Sequence, residues 1–125
     1  MELMNSLLFH QAVIESVSVG IITVDDDTRI INANRAALEI IGLQSVDVLN
    51  RPIAELFTTD SRAELVNGLK LVKRQPEMKK YSFFANHRSQ VVGTSISAIT
   101  LNDAVVGWVV VLEPAWQGDP KAPLS

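Results

Sequence analysis

Apolar positions along this chain change their spacing three times, and each change marks a boundary. From Leu3 to Val17 they recur at helical intervals. Leu3, Leu7 and Ile14 fall on one side, Phe9, Val13 and Val17 on another, with Met4, Leu8 and Ala12 between. This arc is wider than the roughly 100° stripe of a helix that covers only its own core. The pattern therefore predicts an amphipathic helix over residues 1–17 that meets a sheet with one side and a second subunit with the other; the alternative is a helix buried deeply against its own sheet. At Gly20 the period shortens in GIITVDDDTRIINANRAALEIIG. Ile21, Ile22 and Val24 form a β-branched run, Asp25 to Thr28 supply turn polarity, and Arg29-Ile30-Ile31 resume an extended pattern. Asn34 offers a side-chain oxygen to the free N–H groups of a helix carrying Ala36, Ala37, Leu38, Ile40 and Ile41. Gly42 stands where a left-handed stop is wanted. A hairpin that runs straight into a helix makes one side of a small sheet into a covered chamber.

Helical spacing then persists in short pieces. Ser45 is placed to cap a turn through Leu49, and Pro52 to open another at Ile53–Leu56. Ser61 with Glu64 fits a capping box, opening a helix to about Arg74 with Leu65, Val66, Leu69 and Val72 on one face. Lys70, Lys73 and Arg74 lie toward its C-terminal end, where the helix dipole favours cations, and Gln75-Pro76 stops it. From Met78 the period is two. Tyr81 and Phe83 share a strand face opposite Ser82 and Phe84, and Asn86 to Ser89 are turn-like, with His87 among them. A long strand follows from Val91 to Leu101, Asn102-Asp103 reverse the chain, and Val105–Glu113 form the last strand. Segregated helices and hairpin-linked strands predict an α+β domain with an antiparallel sheet. The expected division is a helix over 1–17, the domain over 18–114 and a linker or frayed tail over 115–125.

Alternation also nominates the residues that line the chamber. With Thr23 outward, Ile22 and Val24 point inward. The same logic selects Ile31, Leu38, Ile41, Leu56, Leu65, Leu69, Phe83, Val109 and Val111, with Asn34 at the rim and Tyr81 nearby. Ser95 and Ser97 are its candidate polar groups, because a buried hydroxyl needs a partner. The alternative is that Thr94, Ile96 and Ala98 take the inward face and the serines face out. Placing Val109 and Val111 inside puts Trp108 on the outer face, under the N-terminal helix or a partner subunit, and large aromatics favour interface centres. So many aliphatics are also consistent with a plain, closely packed core.

The 125 residues suffice for one domain with a real core. An apolar content of 47% with 20% charged residues predicts unaided folding. The net charge is −3, and the 11 Lys and Arg are scattered rather than gathered into a basic face for nucleic acid. The longest apolar run, near Val105–Leu112, is far below the roughly 20 residues of a membrane helix, and no export signal is visible. Without cysteine there is no disulfide and no thiolate chemistry, which fits a reducing cytoplasm. Asp25, Asp26 and Asp27 are adjacent carboxylates without converging ligands from elsewhere, so solvated turn formers are expected rather than a metal site. Ser45, Ser61 and Ser89 have no histidine at a recognisable partner spacing. The six glycines stand alone, without a phosphate loop. His10 and His87 are expected to be surface or interface histidines. No catalytic residue is nominated.

Taken in order, GIITVD, RIINAN, RAALEIIG, VLNRPIAELF and VVGTSISAITLNDAVVGWVVVLE resemble a PAS domain over roughly Phe9 to Glu113. The resemblance implies a five-stranded antiparallel sheet in spatial order 2-1-5-4-3 with helices over one face. It also implies a sensory or dimerising module of bacterial histidine kinases, diguanylate cyclases or transcription regulators. Members that attach flavin or cinnamoyl chromophores do so through cysteine, absent here. Haem-binding members usually present a histidine from the long helix, and Ser61–Arg74 has none, so no cofactor is expected. The expected function is a homodimeric sensory domain, joined to a kinase, cyclase or DNA-binding effector, with a small, mostly apolar ligand in its pocket. The alternative is a structural dimerisation module without a ligand. Where many members carry an Asp-Ile-Thr-like triplet that launches an output helix, this chain has Glu113-Pro114-Ala115. Proline disfavours helical geometry in the residue before it, so a flexible connection is expected.

Overall fold

Two strands joined by a polar turn open the fold. The structure, a computed structural model, describes residues 19–114. The interface positions Leu3, Met4, Leu7, Leu8, Phe9, Val13, Ile14 and Val17, and the tail 115–125, lie outside the described residues. Strand β1 (Gly20–Asp25) pairs antiparallel with β2 (Ile30–Ala33). The Asp25 carboxylate accepts from the backbone N–H groups of Asp27 and Arg29, at 2.9 and 3.0 Å, and so closes the turn with Thr28 at φ 63°. Asn34 then starts helix α1 (Arg35–Ile41), and Gly42, at φ 83°, returns its N–H to the Leu38 carbonyl. This is the left-handed ending that glycine adopts without a Cβ penalty.

Helix α2 (Ser45–Val48) and a 3-10 turn (Ile53–Leu56) lead into helix α3 (Thr59–Arg74). Two helix starts differ from expectation. Gln44, not Ser45, caps α2, in a reciprocal box with Asp47. Helix α3 begins two residues before Ser61, after Thr58, whose hydroxyl lies 3.3 Å from that of Ser61. Strands β3 (Tyr81–His87), β4 (Gln90–Leu101) and β5 (Ala104–Pro114) complete the chain as a meander. Each of its turns uses two residues at positive φ, Arg88-Ser89 and Asn102-Asp103, the geometry that matches strand twist in a tight hairpin.

The five strands form one antiparallel sheet in order β2-β1-β5-β4-β3, with the helices over one face. Cross-strand register decides which side chains lie beneath them. Directly opposed residues of antiparallel strands share a face, and Ile22 and Val24, both buried, oppose Val110 and Trp108. Val110, Trp108 and Leu112 are therefore inward, and the expectation that placed Val109 and Val111 inside and Trp108 outside is reversed. The same register carries to β4, where Ile96 opposes Val110 and Ala98 opposes Trp108. Thr94, Ile96 and Ala98 accordingly take the inner face, and Ser95 and Ser97 lie on the outer one. Ile31 also leaves the chamber. The β1–β2 register shifts beside it, so that Val24 opposes Ile30 and Thr23 opposes Asn32. Such an irregularity turns the extra residue away from the ladder, and Ile31 is 56% exposed.

Candidate functional site

Among the described residues, the space between helices and sheet is lined by a buried apolar core. Ile22, Val24, Leu56, Leu65 and Leu69 are buried there, and Leu38, Ile41, Tyr81 and Phe83 pack against them half-buried. Phe57, Ile53, Ile96, Val110 and Leu112 are buried with them. Close packing of this kind is the usual state of a core. Asn34, expected at the rim, is itself buried and is a structural clamp. Its Oδ1 accepts from the N–H groups of Ala37 and Ile21, both at 2.9 Å, and its Nδ2 donates to the Val19 carbonyl at 3.0 Å. One side chain thus caps α1 and ties it to the start of β1.

Space for a ligand opens at one end of the chamber. A cleft of about 270 Å3 lies between the β1–β2 turn, the 3-10 turn and α3. Ile53, Ala54, Val66, Leu69 and Trp108 give it an apolar lining, and Asp26, Thr28, Lys70 and Lys73 contribute the polar groups. Trp108 is held there because its Nε1 donates to the Leu69 carbonyl at 3.1 Å. A buried indole N–H normally finds such a partner. That bond joins β5 to the middle of α3. Lys70 and Lys73 are exposed and pair with no carboxylate among the described residues, where Arg51–Glu55 is the ion pair formed.

The opposite sheet face is the second candidate surface. Ile21, Val109, Val111 and Ile99 lie on it half-buried, and Phe84 is 75% exposed. Ser95, with its hydroxyl 3.3 Å from that of Ser82, borders a depression of about 250 Å3 beside Phe84, Gly93 and Glu113. Large contiguous exposed apolar patches mark interaction surfaces, which makes this face a candidate. The Asp25–Asp27 carboxylates cluster within 4.8 Å of one another in the hairpin turn, where Asp25 is spent on holding the turn. No described helix is long and apolar enough to cross a membrane.

Residues 8–115 match the family model for the PAS fold. The chain belongs to the PAS family. Solved structures of similar shape include the PAS domain of a protein from Colwellia psychrerythraea, with a TM-score of 0.71 at 15% identity over 87% of this chain and 96% of that one. The PAS domain of Bordetella pertussis BvgS has a TM-score of 0.68 at 17% identity, covering 90% of this chain and 88% of that one. A sensory box sensor histidine kinase from Vibrio cholerae has a TM-score of 0.65 at 12% identity, covering 94% and 97%. At these identities the likeness concerns the fold. In sequence, the chain is 28% identical over 105 residues to the nitrogen regulation protein NtrY of Azorhizobium caulinodans, which covers 84% of this chain. The chain spans 13% of that relative's length.

Two polar groups of this PAS domain stand out against its apolar interior. His87 is not a turn residue at the surface: it ends β3 on the inner face, 4% exposed, with Phe57 edge-on at a ring separation of 4.7 Å. Its Nε2 has no hydrogen-bond partner among the described residues, and burial lowers its pKa below the ordinary value. The Tyr81 hydroxyl donates to the Glu64 carboxylate. That bond, followed by burial and the adjacent negative charge, raises the phenol pKa. Sequence reasoning missed Trp108, Ile53, Lys70 and Lys73 as neighbours of one cleft. They come from three elements whose approach no local pattern encodes.

Proposed function

We propose that this PAS domain is a homodimerising sensory module of a longer cytoplasmic signal-transduction protein, and that it takes a small, mostly apolar ligand. The observation that carries the ligand half is the cleft over Trp108. A molecule seated there touches the side chain that pins α3 to β5, and β5 is the strand from which the chain leaves the domain at Pro114. Occupancy then shifts a conformational equilibrium only as far as the ligand binds the two arrangements with different affinity. Similarity to a nitrogen regulation protein and to sensor histidine kinases supports an attached effector, with a kinase, a cyclase and a DNA-binding regulator all compatible. The apolar outer face of the sheet supports pairing with a second copy, aided by residues 1–17. Neither haem nor a thiol-linked chromophore belongs to this reading, since α3 lacks histidine and the chain lacks cysteine. The module itself performs no reaction and contacts neither nucleic acid nor membrane.

The buried apolar core favours a second reading, a structural dimerisation module without a ligand. Native mass spectrometry and an absorption spectrum of freshly purified protein separate the two. Dimer carrying a retained small molecule is the expected outcome, whereas clean apo dimer in every preparation selects the structural reading.

A further inference from the structure

The geometry points to an amphipathic monoanion as the ligand of the cleft between α3 and the β1–β2 turn: a compact apolar body ending in one carboxylate. This rests on the ligand-binding half of the function proposed above and adds the ligand's chemical class. The lining from Ile53, Ala54, Val66, Leu69 and Trp108 offers no charged group to the body of a ligand. Both ammonium groups at the site come from one helix. Lys70 and Lys73 are three residues apart on α3, the spacing that puts side chains on the same helix face, and neither is engaged with a carboxylate of the described chain. A lysine is a compact cation on a flexible stem, so two of them can converge on one ligand carboxylate while its apolar part covers the indole.

Asp26 sets the upper limit on charge. Asp25, not Asp26, accepts the turn's hydrogen bonds, and the exposed Asp26 lines the cleft as a negative neighbour whose carboxylate clusters with those of Asp25 and Asp27. It opposes a second negative charge on the ligand and so favours a monoanion over a dianion or a phosphate monoester. Thr28 lines the same side of the cleft and brings a neutral hydroxyl rather than a further charge. Size narrows the class further. At about 270 Å3 the cleft lies just under the range of about 300–1,000 Å3 typical of drug-sized ligands, which suits a single ring or a short branched chain.

Trp108 is also the reporter. The chain has two tryptophans, and Trp116→Phe leaves Trp108 as the sole emitter. This protein is titrated with phenylacetate, cyclohexanecarboxylate and 4-methylpentanoate, and in parallel with methyl phenylacetate, phenethylamine and phenylmalonate. The monocarboxylates are expected to change Trp108 emission saturably and more tightly than the neutral ester, the amine or the dianion. Adding Lys70→Gln and Lys73→Gln is expected to weaken them about tenfold, the scale of a lost charged hydrogen bond. Ala54→Leu, which fills the cleft, is expected to abolish the response. If the neutral ester binds as tightly as the acids, or the lysine variant binds them unchanged, the anion class is overturned while the cleft remains a ligand site. If no probe of any charge gives a saturable change, the monoanion and the ligand-binding cleft fall together.

Discussion

Buried with its Nε2 unpartnered among the described residues, the His87 imidazole packs on Phe57 at the end of β3. Burial disfavours its charged form, and the folded pKa accordingly lies below the ordinary 6.5. The unfolded chain then takes up the proton first as pH falls. The stability linked to His87 is retained above about pH 6.5 and declines from there toward its depressed folded pKa. We expect the melting temperature to fall between pH 7 and pH 5, and His87→Leu to flatten that part of the profile. Identical slopes in the two proteins would contradict the assignment. Asn34 illustrates the other side of legibility at this scale. Its role as helix cap follows from its place before an apolar helical run. Its bonds to Ile21 and Val19 appear only once β1 lies beside α1.

Helix α3 reaches the sheet through Gly68. A Cβ there would stand 2.5 Å from Tyr81 Cδ2 and 2.7 Å from Ile96 Cδ1. Two effects oppose each other in Gly68→Ala. Alanine is favoured over glycine inside a helix by about 1 kcal/mol, while forcing an extra methyl into a packed site costs about 1–3 kcal/mol. Ile96 is fully buried and Tyr81 is held by Glu64, so neither neighbour gives way readily and the steric cost wins. A net loss of up to about 2 kcal/mol in urea unfolding is expected; a gain would mean that α3 lifts freely from β3 and β4. The end of α3 at Gln75-Pro76 was legible from sequence. Its start was not, because Thr58, Thr59 and Ser61 are all capping types and the choice depends on how the chain leaves the preceding 3-10 turn.

At the scale of the whole molecule, the two faces of the sheet differ in what covers them. The inner face is covered by the protein's own helices, and the outer face presents Ile21, Val109, Val111, Ile99 and Phe84. For the proposed homodimer, deletion of residues 1–17 is expected to yield monomer or aggregate on size-exclusion chromatography. Phe84→Lys, a change at a 75% exposed position, tests the same face without truncation and is expected to weaken the dimer while preserving the melting transition. A truncated, well-folded dimer that the Phe84 substitution also leaves intact removes the outer face as the interface.

Element order, the antiparallel α+β class and the position of nearly every strand were determined by the sequence alone, because period, turn chemistry and glycine at a helix end are local signals. The strand order 2-1-5-4-3 was implied by the resemblance of the ordered segments to a PAS domain, not by those local signals, and the structure has it. Orientation within the sheet was not legible. Strand β4 alternates Thr94, Ile96 and Ala98 with Ser95, Ser97 and Ile99, and either set is apolar enough to lie inside. Strand β5 is apolar on both faces from Val105 to Leu112, apart from Gly107. Only pairing with β1, where Ile22 meets Val110 and Val24 meets Trp108, settled the matter, since a shift of one residue exchanges the faces of a strand. Tertiary structure also decided that His87 is buried and that Trp108 meets α3, because both depend on contacts between elements distant in the chain.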